Sequence, residues 1–398
     1  MSLFSWKNSI LLILGIGVSH LGNWIYLVAI NLYILNLTGS AAAVAGLFII
    51  RPIATILTNT WAGSVIDRVN KKRMLVTVDL VRGAIVFVIP FIESLWGIYG
   101  LIFMINLIGS FFGPTSQVYI TQLVPVEKRQ RFNSLMSTMS SGAFLVGPAL
   151  SGVLIMYFGT DVSIFVNAVT FLVCGGIIAL LPNINGALIN SKVKGIQAWF
   201  NDWKVVASFF KRASYFVFVY ILFQTAMLIG FALDSQEVTY IKQYLGLSDE
   251  YYGLLMSITG AGSIAGALIA ALIASKVPLR FYIGGGVLLS SLGYVLFYSS
   301  FNFISALIAF IILGFFMAFA NAGYATFFQN HVPTNIMGRI GSVANIIQSI
   351  IQIMFTLILG FFAEILTLQL VTLIGSLIGL IISFLLLIYL IKKADATR

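Results

Sequence analysis

Long, nearly uncharged apolar runs recur along the whole chain, separated by short polar breaks. Most are about 20 residues or longer, the length an α-helix needs to cross the hydrocarbon core of a bilayer. We number these runs as spans 1 to 12: 10–35, 41–66, 74–93, 98–122, 133–157, 162–181, 213–235, 251–275, 280–299, 302–328, 338–363 and 367–391. The runs are continuous rather than alternating, so they predict transmembrane helices and not barrel strands.

The composition excludes a water-soluble protein. Of 398 residues, 60% are apolar and 9% are charged, against about 45–50% and 25% in soluble domains. Soluble enzymes, disordered chains and fibrous repeats are therefore excluded. Cys174 is the single cysteine, so neither an intrachain disulfide nor a cysteine-based metal site is possible. With two distant histidines, His20 and His331, we expect no metal and no cofactor.

The basic residues predict the orientation of the spans. Nineteen of the 22 Lys and Arg lie on the side of the N-terminus, whereas Lys242 is alone on the opposite side. Arg51 and Arg82 fall inside spans. By the positive-inside rule, both termini are cytoplasmic and the number of spans is even. This topology accounts for the net charge of +10, so we expect no nucleic-acid partner.

The longest cytoplasmic connection divides the chain into two halves. We predict an N-terminal six-helix half at 1–182, a linker at 183–212 and a C-terminal six-helix half at 213–398. Within the linker, Trp199, Trp203 and Phe210 recur at helical spacing, which predicts an amphipathic helix at the inner membrane surface. It is either a hinge between the halves or an interfacial strut.

A weak internal repeat supports this division. At an offset of 208 residues, Val124-Pro125 overlays Val332-Pro333, Arg131 overlays Arg339, and Ser134 overlays Ser342. Two related halves predict a binding site near the bilayer midplane, at their interface.

The break after span 2 carries a specific motif, Gly63-Ser-Val-Ile-Asp67-Arg68-Val-Asn70-Lys-Lys72-Arg73. It resembles the G-x-x-x-D-R-x-G-R-R signature of the major facilitator superfamily, with Asn70 in place of the usual glycine. An asparagine tolerates the left-handed backbone that a glycine adopts. The resemblance implies a conformational latch in which Asp67 contacts the N-terminus of span 11. Its residues are Gly63, Asp67, Arg68, Lys72, Arg73 and Arg339.

Span 5 carries the sequence Gly142-Ala-Phe-Leu-Val-Gly147-Pro148-Ala-Leu-Ser-Gly152. This resembles the glycine-rich motif with a Gly-Pro pair in major facilitator antiporters, where it is associated with export. The N-terminal Ser19-His-Leu-Gly-Asn23-Trp stretch resembles the macrolide-efflux and enterobactin-exporter-like branch of the family. That branch often has an aspartate at the position of Asn23, so the proton site proposed there is missing from this chain.

Charges inside the membrane are costly and are functional candidates by default. Asp79 and Arg82, three residues apart on span 3, share a helix face and form an expected pair that extends the Asp67 network. Arg51 either faces the cavity, where it would favour anionic or polar groups, or pairs with Glu93.

Proton coupling needs a carboxylate whose environment changes with conformation. Asp79, Asp234 and Glu237 are the candidates. The last two are close to the outer end of span 7, so simple hydration is the alternative for them.

Polar residues on spans 1, 2, 4, 7 and 11 are candidates for the wall of a substrate cavity. In the family these helices line the cavity or flank it, whereas interhelical hydrogen bonds are the alternative explanation. The candidates are Asn23, Tyr26, Asn31, Arg51, Gln117, Gln224, Asn345, Gln348 and Gln352.

These features predict an all-α integral membrane protein with the major facilitator fold. We expect a monomeric secondary transporter in a bacterial plasma membrane that exports hydrophobic or amphipathic small molecules of the macrolide or multidrug type, by proton antiport. A siderophore or lipid exporter of the same fold is the alternative. A receptor or an intramembrane enzyme is disfavoured, because we find no catalytic set. The chain also lacks a phosphate-binding G-x-x-x-x-G-K-[ST] loop.

Overall fold

The computed structural model describes residues 6–59, 66, 69–184, 196–273 and 276–395. Within these ranges every regular element is helical, so the expectation of an all-α chain is confirmed. Eleven helical segments of the described part are long and apolar enough to cross a membrane.

The helices follow the predicted spans closely. Spans 1 to 4 are the helices Trp6–Thr38, Ala41–Asn59, Lys71–Val88, and Leu95–Gly109 with Phe112–Leu123. Spans 5 and 6 share the helical run Val126–Leu180. Spans 7 to 12 are Ser214–Asp234, Asp249–Ile273, Gly286–Tyr298, Phe303–His331, Thr334–Ile365 and Leu368–Asp395. Two π-helical turns, Tyr240–Tyr244 and Phe281–Gly285, follow span 7 and precede span 9.

A single glycine separates spans 5 and 6. Gly159 has φ 80° and ψ 176°, a conformation that interrupts the helix and that side chains rarely adopt. The apolar part of this run, Gly142–Leu180, has 39 residues. At 1.5 Å per residue it would extend about 58 Å, almost twice the thickness of a hydrocarbon core. Eleven helical segments therefore accommodate twelve crossings.

The two loops of the internal repeat have the same backbone geometry. Val124 and Val332 end spans 4 and 10 with φ/ψ of −104°/119° and −101°/120°. Pro125 and Pro333 then precede spans 5 and 11 with −57°/150° and −59°/136°. In both loops the valine N–H bonds back into the preceding helix, at 2.8 and 3.0 Å. The sequence match at the offset of 208 therefore corresponds to a repeated helix–Val-Pro–helix connection.

The chain forms two compact units. The first, which we call the N-terminal unit, contains residues 1–39 and 50–194, and the second, the C-terminal unit, contains residues 40–49 and 195–398. In the first unit, span 1 packs along the helical run of spans 5 and 6. Glycine permits this contact, because a Cβ at Gly147 would lie 2.5 Å from the Cβ of Trp24.

In the second unit, spans 8 and 10 cross at glycines. Gly262 and Gly266 on span 8 have the small-xxx-small spacing that lets membrane helices approach closely. A Cβ at Gly262 would lie 3.0 Å from the carbonyl oxygen of Ile311, and one at Gly266 would overlap the carbonyl of Phe315. The hydroxyl of Ser263 donates to the carbonyl of Gly314 at 2.9 Å.

The amphipathic linker helix is Ile196–Arg212. Its Val206 is 3% exposed and belongs to the same apolar cluster as Phe216 of span 7. The ring of Phe209 contacts that of Phe216, with centroids 5.6 Å apart. Val206 and Phe209 therefore pack against the protein itself.

Candidate functional site

Two amide–hydroxyl hydrogen bonds join three spans of the C-terminal unit. Gln224 of span 7 donates through Nε2 to the hydroxyl of Tyr324 in span 10, at 3.2 Å. Gln348 of span 11 donates in the same way to the hydroxyl of Tyr220 in span 7, at 3.0 Å. Both glutamines belong to the predicted cavity set. Both tyrosines are missing from that set, because sequence spacing does not reveal which spans become neighbours.

Aromatic rings surround these two bonds. The rings of Phe223 and Tyr324 stack with centroids 4.4 Å apart and an angle of 9°. Those of Phe216 and Tyr220 stack at 5.7 Å and 27°. We call this set the aromatic wall: Phe216, Tyr220, Phe223, Gln224, Tyr324 and Gln348. Phe216, Tyr220 and Phe223 are buried, whereas Gln224, Tyr324 and Gln348 are half-buried. These half-buried groups, backed by the buried rings, are the ones that a ligand with apolar rings could contact.

The other two cavity candidates on span 11 differ in their exposure. Asn345 is exposed and Gln352 is half-buried. They lie three residues before and four residues after Gln348, so the three share one helix face.

The structure does not place the five candidates of the N-terminal unit in one environment. Asn23 is half-buried, Asn31 is 2% exposed, and the hydroxyl of Tyr26 is buried. Arg51 and Gln117 are exposed. Asn31 and the Tyr26 hydroxyl therefore lie at helix contacts rather than on an open surface.

The alternative pairing of Arg51 is wrong. Arg51 and Glu93 are both exposed, and no ion pair joins them in the described part of the chain.

Asp79 and Arg82 lie together inside the N-terminal unit. The Arg82 Nη1 is 3.8 Å from an Asp79 Oδ1. The Asp79 side chain has no exposed surface, and that of Arg82 is 14% exposed. The guanidinium carbon also lies 3.9 Å from the centre of the Phe171 ring in span 6.

Simple hydration of Asp234 and Glu237 is wrong. Glu237 is 6% exposed, and Asp234 accepts a 2.6 Å hydrogen bond from the hydroxyl of Tyr294 in span 9. Gly230 leaves room for this tyrosine, since a Cβ there would be 3.3 Å from the Tyr294 hydroxyl. The two acids therefore lie in a packed helix interface.

Most of the latch motif falls outside what the structure describes. Gly63, Asp67 and Arg68 lie outside the described residues, as does the side chain of Arg339. Lys72 is half-buried and Arg73 is exposed, both in the first turn of span 3. The latch stays a prediction.

Asn70 is the N-cap of span 3 and does not adopt the left-handed backbone that was expected. Its backbone is extended, with φ −66° and ψ 118°, rather than left-handed. Its side-chain oxygen accepts from the N–H of Arg73 at 2.9 Å and so caps the N-terminus of span 3. Its amide also donates to the side-chain oxygen of Asn183, at 2.7 Å.

Replacing Asn70 by alanine is expected to lower stability by about 1 kcal/mol, because the helix loses its N-cap. The measurement is thermal unfolding of the purified protein in detergent. Asn183→Ala is the matched control, since it removes the amide contact and leaves the cap. Equal melting temperatures for the two variants would contradict the capping role.

The span 5 motif lies at the contact with span 1. Gly147, Pro148 and Gly152 are buried, whereas Gly142 faces open space. Next to Gly152, the hydroxyl of Ser151 donates to the carbonyl of Ile25 at 2.8 Å. Within the motif, close packing on span 1 thus accounts for Gly147.

Known proteins resemble this chain over most of its length. The family model of the Major Facilitator Superfamily matches residues 12–356. The MFS-type transporter YfiS of Bacillus subtilis (strain 168) is 24% identical over 342 residues, which cover 84% of this chain and 81% of that protein. The Staphyloferrin A transporter of Staphylococcus aureus (strain NCTC 8325 / PS 47) is 21% identical over 334 residues, 81% of each chain.

The chain is also similar to a multidrug resistance protein and to the solved structure of a nucleoside transporter. Multidrug resistance protein MdtH of Salmonella arizonae (strain ATCC BAA-731 / CDC346-86 / RSK2980) is 25% identical over 200 residues, covering 50% of this chain and 49% of that protein. The crystal structure of the nucleoside transporter NupG aligns with a TM-score of 0.69 at 15% identity, covering 96% of this chain and 98% of that one. At that identity the structural match shows the fold alone.

Three observations agree on the class of this protein. The family model matches most of the chain, the described elements are helical, and many of the helices are long enough to cross a membrane. The chain is a multi-pass membrane protein whose family implies a small-molecule substrate and no enzymatic reaction. It belongs to the major facilitator superfamily and is a transporter of that type.

Proposed function

We propose that this transporter exports hydrophobic or amphipathic small molecules in exchange for protons. The aromatic wall carries the proposal. Six side chains from three spans combine stacked rings with only two amide–hydroxyl bonds. Its half-buried members, Gln224, Tyr324 and Gln348, would favour a ligand with apolar rings and few hydrogen-bonding groups.

The direction of transport rests on sequence resemblance. Gly142, Gly147, Pro148 and Gly152 match the antiporter motif of the family, in which it accompanies export. Likeness to a multidrug resistance protein over half of the chain agrees with this direction. The proposal places a monomer in a bacterial plasma membrane with cytoplasmic termini, in the macrolide-efflux branch of the family.

The coupling ion in this proposal is the proton. Three membrane carboxylates are available, and each is packed inside a unit rather than hydrated. Asp79 lies beside Arg82, whereas Asp234 and Glu237 lie near Tyr294. A buried carboxylate that gains or loses a proton as the protein changes conformation would link transport to the proton gradient.

Two observations favour a second candidate, a siderophore or lipid exporter. One is the likeness to the Staphyloferrin A transporter over 81% of the chain. The other is an apolar groove of about 480 Å³ between spans 7, 11 and 12, where Thr225 supplies the single polar side chain among the lining residues. A groove of this size and chemistry suits a hydrocarbon chain.

The test is proton-coupled transport in everted membrane vesicles with an acidic interior. Erythromycin, ethidium and a carboxylate-type siderophore are added in turn while a pH-sensitive dye is followed. We expect erythromycin or ethidium to dissipate the gradient, and the vesicles without the protein to show no response. A response to the siderophore alone would support a siderophore exporter, and silence across the panel would contradict the proposed antiport of multidrug-type molecules.

A variant of the aromatic wall can be tested in the same assay. Tyr324→Leu removes both the stacking on Phe223 and the acceptor for Gln224. It is expected to raise the half-saturating probe concentration about tenfold, since a ligand that stacks on Tyr324 and bonds to its hydroxyl gains about 1–2 kcal/mol. Tyr251→Leu is the control, because Tyr251 is exposed on span 8. Equal half-saturation in both variants would remove the wall from the binding site.

A further inference from the structure

The Asp79 carboxylate is buried without the hydrogen bonds that a buried charge needs. Its side chain has no exposed surface. Apart from the weakly donating thiol of Cys174, neither of its oxygens has a hydrogen-bond partner among the described residues. The Arg82 Nη1 is 3.8 Å from Oδ1, beyond the 2.7–3.2 Å of a protein N–H···O bond. Buried polar groups are normally bonded, so this carboxylate is an exception.

Arg82 is held in place by packing rather than by the carboxylate. Its guanidinium lies over the Phe171 ring at 3.9 Å. On span 4, Gly109 leaves the space it occupies, since a Cβ there would be 3.1 Å from Nε. That Nε is buried and has no hydrogen-bond partner in the described structure either. The pair therefore lacks the geometry that offsets the cost of burying two charges.

Several titratable groups face this pair from the neighbouring helices. Tyr26 and His20 on span 1 and Arg51 on span 2 interact electrostatically with Arg82. On span 6, the Cys174 thiol lies beside the carboxylate, and a thiol is only a weak donor. His20 is already bonded to the hydroxyl of Ser140, at 3.0 Å. The buried hydroxyl of Tyr26 has no hydrogen-bond partner among the described residues.

A proton on Asp79 removes one of the two buried charges. The desolvation cost of the carboxylate disappears, but the Arg82 guanidinium loses its counter-ion and needs another partner. The freed guanidinium can then bond to the Tyr26 hydroxyl, which offers acceptor lone pairs. The protonation state of Asp79 therefore depends on how the surrounding helices pack, and a change in that packing can shift it.

We propose that Asp79 binds and releases the coupling proton within the N-terminal unit, and that Arg82 is its exchangeable counter-ion. The proton comes from water, binds one carboxylate oxygen of Asp79 and returns to water, and no other bond changes. The inference rests on the proposed proton-coupled export. Asp234 and Glu237 are the rival carboxylates. Asp234 already accepts a short hydrogen bond from Tyr294, and Glu237 is hydrogen-bonded to Asp234.

Infrared difference spectroscopy tests the assignment without a substrate. The protein in liposomes is titrated with acid while the C=O stretching band of protonated carboxyl groups is recorded. We expect a band that is missing in Asp79→Asn, retained in Asp234→Asn and shifted to the glutamate position in Asp79→Glu. The Asp79→Glu variant keeps the test decisive if Asp79→Asn does not fold.

Transport measurements separate proton coupling from substrate movement. Ethidium is the probe, followed as gradient-driven uptake and as gradient-free exchange in everted vesicles. Asp79→Asn should lower gradient-driven uptake at least tenfold and keep exchange within about twofold of wild type. Glu93→Gln is the control, because it removes an exposed carboxylate from the segment that follows the span 3 helix, and it should change neither.

The outcomes are distinct. An unchanged band together with normal gradient-driven uptake in Asp79→Asn would overturn the inference. If the band depends on Asp79 but wild-type vesicles move no protons with any probe, Asp79 still binds a proton and the proposed antiport is wrong.

Discussion

Replacing Gly314 by alanine is expected to destabilise the C-terminal unit by about 3 kcal/mol, at the upper end of the cost of overpacking. A Cβ at this position would overlap the carbonyl oxygen of Thr259 in span 8 and lie 2.9 Å from its carbonyl carbon. These are backbone atoms, so rotating a side chain cannot relieve the overlap. The two helices must separate, and the bond from Ser263 to the Gly314 carbonyl is lost with them.

The measurement is the apparent melting temperature in detergent, together with the yield of monodisperse protein. Gly176→Ala is the matched control, because a Cβ at Gly176 meets no atom within 4 Å. That variant should be no less stable than wild type, since alanine favours a helix over glycine. Similar melting temperatures for Gly314→Ala and wild type would show that spans 8 and 10 leave room for a methyl group at this contact.

Asp67→Asn is expected to leave the protein folded and to slow transport about tenfold or more. Asparagine has nearly the size of aspartate but no charge, so it bonds more weakly to backbone N–H groups at a helix N-terminus. The latch implied by the family motif would then hold one conformation less well. Gradient-driven uptake and gradient-free exchange should both fall, in contrast to Asp79→Asn, which should affect only the first.

Ethidium transport in everted vesicles measures this effect, with circular dichroism and elution volume as checks on folding. Asp161→Asn is the control, because it removes an exposed carboxylate from the N-terminal unit. Transport by Asp67→Asn at the wild-type rate would remove Asp67 from the conformational cycle.

Much of this architecture follows from local sequence. A run of about 20 apolar residues has to satisfy its backbone hydrogen bonds internally when it enters lipid, and a helix does this within a single segment. The twelve runs therefore specify helices without reference to their neighbours. The Val-Pro connections at 124–125 and 332–333 are local as well, since proline fixes its own φ and ends the preceding helix.

The expected role of Asn70 was wrong because a residue type allows more than one backbone state. Asparagine tolerates the left-handed region, but here its side chain finds the free N–H of Arg73 and the backbone is extended. The burial of Asp234 and Glu237 also could not be predicted from the residues next to them in the sequence. Their position at the end of span 7 suggested water, whereas Tyr294 from span 9 covers Asp234.

The sequence by itself determined the helices, their order, the repeat and the membership of a transporter family, because each depends on residues close together in the chain. Only the tertiary structure decided which polar groups meet. Gln224 bonds to Tyr324 across 100 residues and Gln348 to Tyr220 across 128. In a membrane helix nearly every face is apolar, so hydrophobic periodicity does not indicate which face meets which neighbour. Close packing at glycines such as Gly147 and Gly314 makes that choice, and the side chains that could bind a substrate or a proton are positioned by it.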